Sequence, residues 1–156
     1  MLVANTTIEY NRAAREWEAT TGAETLSFPS GEQGKQAAIA TAIAVADPEL
    51  HEALSKMLAR YPQLGSRVWR MGMLILAGHV QIAQEDDVIA KVKSYSHPDQ
   101  IHTVIWSGRN YFCDCEDFHG PHCPRVRWRD QRLCIHVGAV QTLNFLGRWP
   151  EDLLPG

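Results

Sequence analysis

Apolar positions in the first 78 residues recur at three- and four-residue intervals, the spacing of helices that bury one face. Thr6 to Glu9 has the Ser/Thr-x-x-Glu form of a capping box, and Tyr10, Ala13, Ala14 and Trp17 then share a face before Gly22, so the spacing predicts a first helix. "FPSGEQGKQAAIATAIAVADP" predicts a second, capped by Ser30 with Gln33 three residues on and ended near Asp47 by Pro48. Asp47 and Pro48 are also a cap and first residue for a third, with Leu50, Leu54, Met57 and Leu58 on one side. After "YPQLGS", a fourth runs from about Ser66 to Ala77 with Val68, Met71, Leu74 and Ile75 in line.

Beyond Gly78 the period shortens. "VIAKVKSY" (88–95), "IHTVIW" (101–106) and "NYFCDC" (110–115) are rich in β-branched and aromatic residues, and "SHPDQ" and "SGR" between them are turn chemistry. They predict a small antiparallel sheet, with "HVQIA" (79–83) a candidate extra strand. "HVGAVQTLNFLG" then predicts a last helix from near His136 to Gly147. The expected class is α+β: an N-terminal helical bundle over 1–78, then a β-hairpin module and C-terminal helix over 79–156.

Charge and composition narrow the classes of function. The 156 residues carry a net charge of −3, with twelve acids and nine bases in 1–100 and six of each in 101–156. A uniformly basic coat for nucleic acid is excluded, and any such contact must be local. The longest apolar run, "MGMLILAG", is too short to span a bilayer, so no membrane role is expected. The N-terminal residues lack the basic start and apolar middle of a secretory signal, which points to a reducing cytoplasm, or to the nucleoid or nucleus if DNA is bound. In that setting clustered cysteines read as metal ligands or reactive thiols before disulfides.

All four cysteines lie between 113 and 134. Cys113 and Cys115 sit two apart at the end of an expected strand. Cys134 and His136 sit two apart at the start of an expected helix, giving Cys-x-Cys-x18-Cys-x-His. Residues two apart on an extended segment face the same way, so a strand end can aim two sulfurs at one ion. Three thiolates and an imidazole suit one tetrahedral Zn2+, and four protein ligands leave no position for water, so the ion would be structural. Cys123 with His119 and His122 forms a competing group, or Cys123 is a free thiol on a surface loop. "SGEQGK" does not make a phosphate loop, because the first glycine of that motif is missing and Gln36 stands where it needs Ser or Thr. Cys134 with His136 could in principle serve as a nucleophile and base, but the His-x-Glu and Pro-Cys-x-x-Cys signatures of zinc deaminases are absent, and the helical half offers no nucleophile–base pair or carboxylate pair with usable spacing. The chain is therefore read as a non-enzyme with no small-molecule substrate.

The motif, together with the hairpin before it and the aliphatic helix after it, resembles the SWIM zinc finger. "CDCEDF" is similar to that family's Cys-x-Cys-x-Asp-Phe segment, and "LCIHVGAV" to its Cys-Lys-His followed by small and aliphatic residues, although Ile135 stands at the basic position. The resemblance covers roughly 80–146 and makes Cys113, Cys115, Cys134 and His136 the zinc ligands, with Asp117 and Phe118 supporting the loop. It implies DNA binding or protein–protein contact.

Between the ligand pairs lies "PRVRWRDQRL", in which Arg125, Arg127, Arg129 and Arg132 surround Trp128. Arginines pair with phosphates and an exposed indole stacks on an unpaired base, so this stretch suits nucleic acid, single strands especially. Equally, the arginines can pair with Glu116, Asp117 and Asp130 on a solvated loop whose Val126 and Trp128 pack inward. The expected function is a nucleic-acid-binding accessory protein acting on DNA in transposition, recombination, repair or regulation. The alternative is an adaptor whose zinc module binds a partner protein.

Overall fold

In a computed structural model, residues 1–126 and 130–148 are described, apart from the Gln84 side chain. The chain does not begin with a helical bundle. Residues 1–29 form an antiparallel sheet of four strands in sequence order: β1 (Leu2–Val3), β2 (Thr6–Asn11), β3 (Glu16–Thr21) and β4 (Glu24–Pro29). Three helices follow: α1 (Glu32–Ala46), α2 (Pro48–Arg60) and α3 (Arg67–Leu76). The protein is thus mixed α/β from its first residues.

Two turns explain why the expected first helix is a hairpin. The Asn11 carboxamide oxygen accepts from the backbone N–H of Ala13 and Ala14, both at 3.1 Å, and Arg15 takes φ 55°, so the chain reverses where the helix would have run. Tyr10 then pairs with Trp17 across the strands, with ring centroids 5.3 Å apart. Their seven-residue separation fits two helical turns and this hairpin alike. Thr21 and Glu24 bracket a two-residue loop whose first member, Gly22, carries φ 60°, the positive angle that tight hairpins need. Thr6, Ile8 and Ala19 are buried on the inner face, against which α1 lies with Ala38, Ile39, Ala42 and Ile43.

The helices after residue 30 follow the expected spacing closely. The cap of α1 is Gly31, at φ 99°, rather than Ser30, and no side chain caps it. Asp47 does cap α2, its Oδ1 accepting from the Leu50 N–H at 3.1 Å, with Pro48 at the first turn. The same carboxylate takes two bonds from the Arg148 guanidinium, at 2.6 and 3.0 Å, which clamps the end of the described chain to the α1–α2 corner. Arg148 holds the Asp47 carboxyl below its usual range, so this clamp stabilises the fold above the ordinary carboxylate pKa and weakens as pH falls through the lowered one. Asp47→Ala is expected to cost about 1–2 kcal/mol near neutral pH, discounted for the partial exposure of both groups, and the deficit should shrink on acidification. Urea denaturation at pH 7 and pH 3 checks both the size and the sign.

The second half is built on another antiparallel sheet, β5 (Val80–Glu85), β6 (Val88–Lys93), β7 (Ile101–Trp106) and β8 (Tyr111–Cys113), so the candidate strand at 79–83 is its first member. The boundary expected between 78 and 79 falls between α3 and β5. A short helix α4 (Glu116–His119), a two-stranded hairpin of β9 (Arg125–Val126) and β10 (Gln131–Arg132), and α5 (Ile135–Phe145) complete the described chain. A continuous buried cluster runs from Ile43 and Leu54 through Val68, Met71 and Leu74 to Val137 and Val140, joining α1, α2, α3 and α5.

Two glycines make this helix packing possible. A Cβ at Gly72 would stand 2.7 Å from the Ile43 side chain and 2.8 Å from Leu54. At Gly138 it would overlap the Met71 thioether, which is fully buried. Gly138→Ala is expected to destabilise by about 1–3 kcal/mol through overpacking. Combined with Met71→Ala, the loss should fall short of the two single losses added together, because the new methyl group occupies part of the space the thioether leaves. Chemical denaturation of the double-mutant cycle reads this directly.

Candidate metal centre

The four ligand candidates come from three element ends. Cys113 ends β8, Cys115 caps α4, Cys134 caps α5 and His136 lies in the first turn of α5. All four are buried, and one ligand atom from each lies within 4.8 Å of the other three. His136 Nδ1 stands 3.7 Å from Cys113 Sγ and 3.9 Å from Cys134 Sγ. With Zn–S near 2.3 Å and Zn–N near 2.05 Å, the S···N edge of a tetrahedron is about 3.6 Å, so the donor set has the dimensions the ion requires.

The local fold prepares the sulfurs for negative charge. Cys115 Sγ accepts from the Phe118 N–H at 3.3 Å, and Cys134 Sγ from the Val137 N–H at 3.4 Å. Each is a helix cap bonded to the amide three residues on, the arrangement in which oxygen caps usually serve. Without a cation the three thiols cannot all ionise. Hydrogen bonds from Cys113 and Cys134 push the Cys115 thiol far down, its bond to Cys115 raises Cys113 to about 12, and burial drives Cys134 up. A divalent cation held here would supply the countercharge that three buried thiolates need.

Surrounding side chains hold the ligands in place. Asp114, between the first two cysteines, accepts from the Thr103 N–H at 3.0 Å and lies 3.3 Å from His102 Nδ1, so a carboxylate continues the β7–β8 ladder where β8 ends. The His102 ring packs on the His136 ring at 4.4 Å. Asp117 is ion-paired with Arg67 at the start of α3, and Arg67 also donates to the His122 carbonyl at 3.3 Å, tying the loop to the helical half. Arg132 donates to the Phe118 carbonyl at 2.8 Å.

Gln131 is a supporting residue that the sequence did not mark. It is 1% exposed, accepts from the Tyr111 N–H at 2.8 Å and donates to the Tyr111 carbonyl at 2.9 Å and the Arg132 carbonyl at 2.7 Å. One side chain therefore pairs with Tyr111 of β8 as a neighbouring strand would.

The competing ligand group does not join the centre. His119 and His122 are exposed, and Cys123 is buried at 8% exposure rather than set on the surface, with burial raising its thiol pKa. Of the expected contact residues, Arg125 and Arg132 face each other across β9 and β10. Arg125 is paired with Asp130 at 3.0 Å, one of the partners expected for it on a solvated loop. Arg127, Trp128 and Arg129 lie outside the described residues. No helix among the described residues is long and apolar enough to cross a membrane.

No protein-family model, curated protein or solved structure matches the chain. The SWIM resemblance therefore stands on the Cys-x-Cys and Cys-x-His motif, and the cluster is compatible with a zinc finger.

Proposed function

We propose that the centre holds one structural zinc ion and that the zinc module serves a non-enzymatic, nucleic-acid-binding accessory protein, with DNA the expected ligand. The ion would join the ends of β8, α4 and α5, held by Cys113, Cys115, Cys134 and His136, and its chemistry there is that of a cross-link. The nucleic-acid reading is carried by the juxtaposition of Arg125 and Arg132 on paired strands, at the two ends of the arginine-rich stretch 125–132. Both line a cleft of about 360 Å³ together with His119 and Phe112, whose ring is 46% exposed. Guanidinium groups beside an exposed aromatic ring form a surface for a phosphate and an unstacked base. The Arg125–Asp130 pair is solvent-exposed, so a phosphate can displace the carboxylate at little cost.

Fluorescence anisotropy of labelled single- and double-stranded DNA with the zinc-loaded chain tests this. Binding is expected to weaken steeply with salt, and Arg125→Ala/Arg127→Ala/Arg129→Ala should flatten the single-strand log–log slope by about 2. A folded, zinc-loaded protein that binds neither DNA at low salt would overturn the reading and turn the search to a protein partner.

A further inference from the structure

A second concave site lies away from the metal centre, between α2, α5 and the end of the β7–β8 hairpin. Its volume is about 640 Å³, within the range of small-molecule sites. Four aromatic rings line it: Tyr61, Trp106, Tyr111 and Phe145. Trp106 and Tyr111 are tilted on each other at 4.7 Å, while Phe145 is 71% exposed, a large apolar ring left in water.

The polar groups of this cavity have one sign. Lys56 and Arg60 line it from α2, one turn apart, and no carboxylate does among the described residues. Lys56 is paired with Glu52 at 3.1 Å, but both side chains are about two-thirds exposed, so the pair is weak and exchangeable. The Arg60 guanidinium stands 5.5 Å from the Tyr61 ring centre, a cation set beside an aromatic wall. From α5, Gln141 and Asn144 add carboxamides, each with donors and an acceptor in one plane, the Asn144 amide being also bonded to the Tyr111 side chain.

Stacking rings, planar amides and a cationic rim are together the complement of a nucleobase carrying a phosphate. We infer that this cavity binds one nucleotide unit, with the base among Trp106, Tyr61 and Phe145 and the phosphate at Lys56 and Arg60. The site is distinct from the Arg125–Arg132 surface and does not depend on the function proposed for it. A free nucleotide and a single strand both present such a unit, and the experiment separates the two.

Calorimetric titration of the zinc-loaded full chain with dTMP and AMP, with ribose 5-phosphate as a phosphate lacking a base and with a ten-residue oligo-dT, provides the test. All strand measurements use the Arg125→Ala/Arg127→Ala/Arg129→Ala background, so that failure of the hairpin surface leaves this site readable. A nucleotide is expected to bind at least about tenfold more tightly than ribose 5-phosphate, the lower range of one stacked base. Lys56→Ala/Arg60→Ala and Phe145→Ala should each weaken it by about tenfold; all three side chains are exposed, so the variants keep the core intact. Binding of dTMP or AMP assigns a free nucleotide, whereas binding of oligo-dT alone, with the same losses, assigns a strand. The inference is overturned if none of these ligands binds, if ribose 5-phosphate binds equally well, or if neither variant weakens binding.

Discussion

Replacement of Cys134 by serine is expected to abolish stoichiometric zinc binding and to lower stability by more than about 3 kcal/mol, a fraction of the 10–16 kcal/mol that structural zinc contributes in isolated finger peptides. The residue is fully buried, caps α5 and stands beside His136, so its loss removes one of four candidate ligands and unseats the helix that packs on α3. The wild-type chain should carry one zinc per molecule by elemental analysis, and a strong chelator should reproduce the loss of thermal stability. Cys123→Ser should leave the zinc content at one, because Cys123 lies outside the ligand cluster. An unchanged melting temperature in chelator, with no zinc in the purified protein, would reduce the cluster to buried thiols packed as small apolar groups.

Gln131→Leu is expected to be the most damaging change outside the ligands, at about 3 kcal/mol. The shape of the side chain is nearly kept, but the Tyr111 N–H and carbonyl and the Arg132 carbonyl lose their partner in a buried setting. Each buried backbone group left without a hydrogen bond costs roughly 1–3 kcal/mol, less whatever water recovers. Because Tyr111 is two residues from Cys113, the metal should be released at a lower chelator concentration. Gln131→Glu sets a buried carboxyl against the Tyr111 and Arg132 carbonyls, so near neutral pH it should be no more stable than leucine and should recover on acidification, when the protonated group can donate again. A leucine variant as stable as wild type would show that water or a shifted strand serves Tyr111 as well as the amide does.

The candidate metal centre was legible because its ligand set is written in residue type and spacing. Cys-x-Cys at a strand end and Cys-x-His at a helix start need little tertiary knowledge, and both met where the spacing placed them. The helices after residue 30 were equally plain, since Asp47-Pro48 is both a stop and a start. The first 29 residues misled for a physical reason. Thr6-x-x-Glu9 and the Tyr10, Ala13, Ala14, Trp17 spacing satisfy a helix, yet Thr6, Ile8 and Tyr10 also alternate as a strand, and the Asn11 side chain decides for the turn. Gln131 and the burial of Cys123 depend on neighbours distant in sequence, which one-dimensional periodicity does not contain.

The two ligand pairs are separated by eighteen residues, so an ion bound to both closes a loop that holds α4 and the β9–β10 hairpin. Closure entropy grows only with the logarithm of loop length, about 0.6 kcal/mol for each doubling. The centre is therefore nearly indifferent to how much chain hangs from it, provided Gln131 and Arg132 still reach β8 and α4. The stretch of sequence between β9 and β10 is a place where residues can be added, removed or exchanged while the scaffold stays put, and where one such scaffold can be fitted to different ligands.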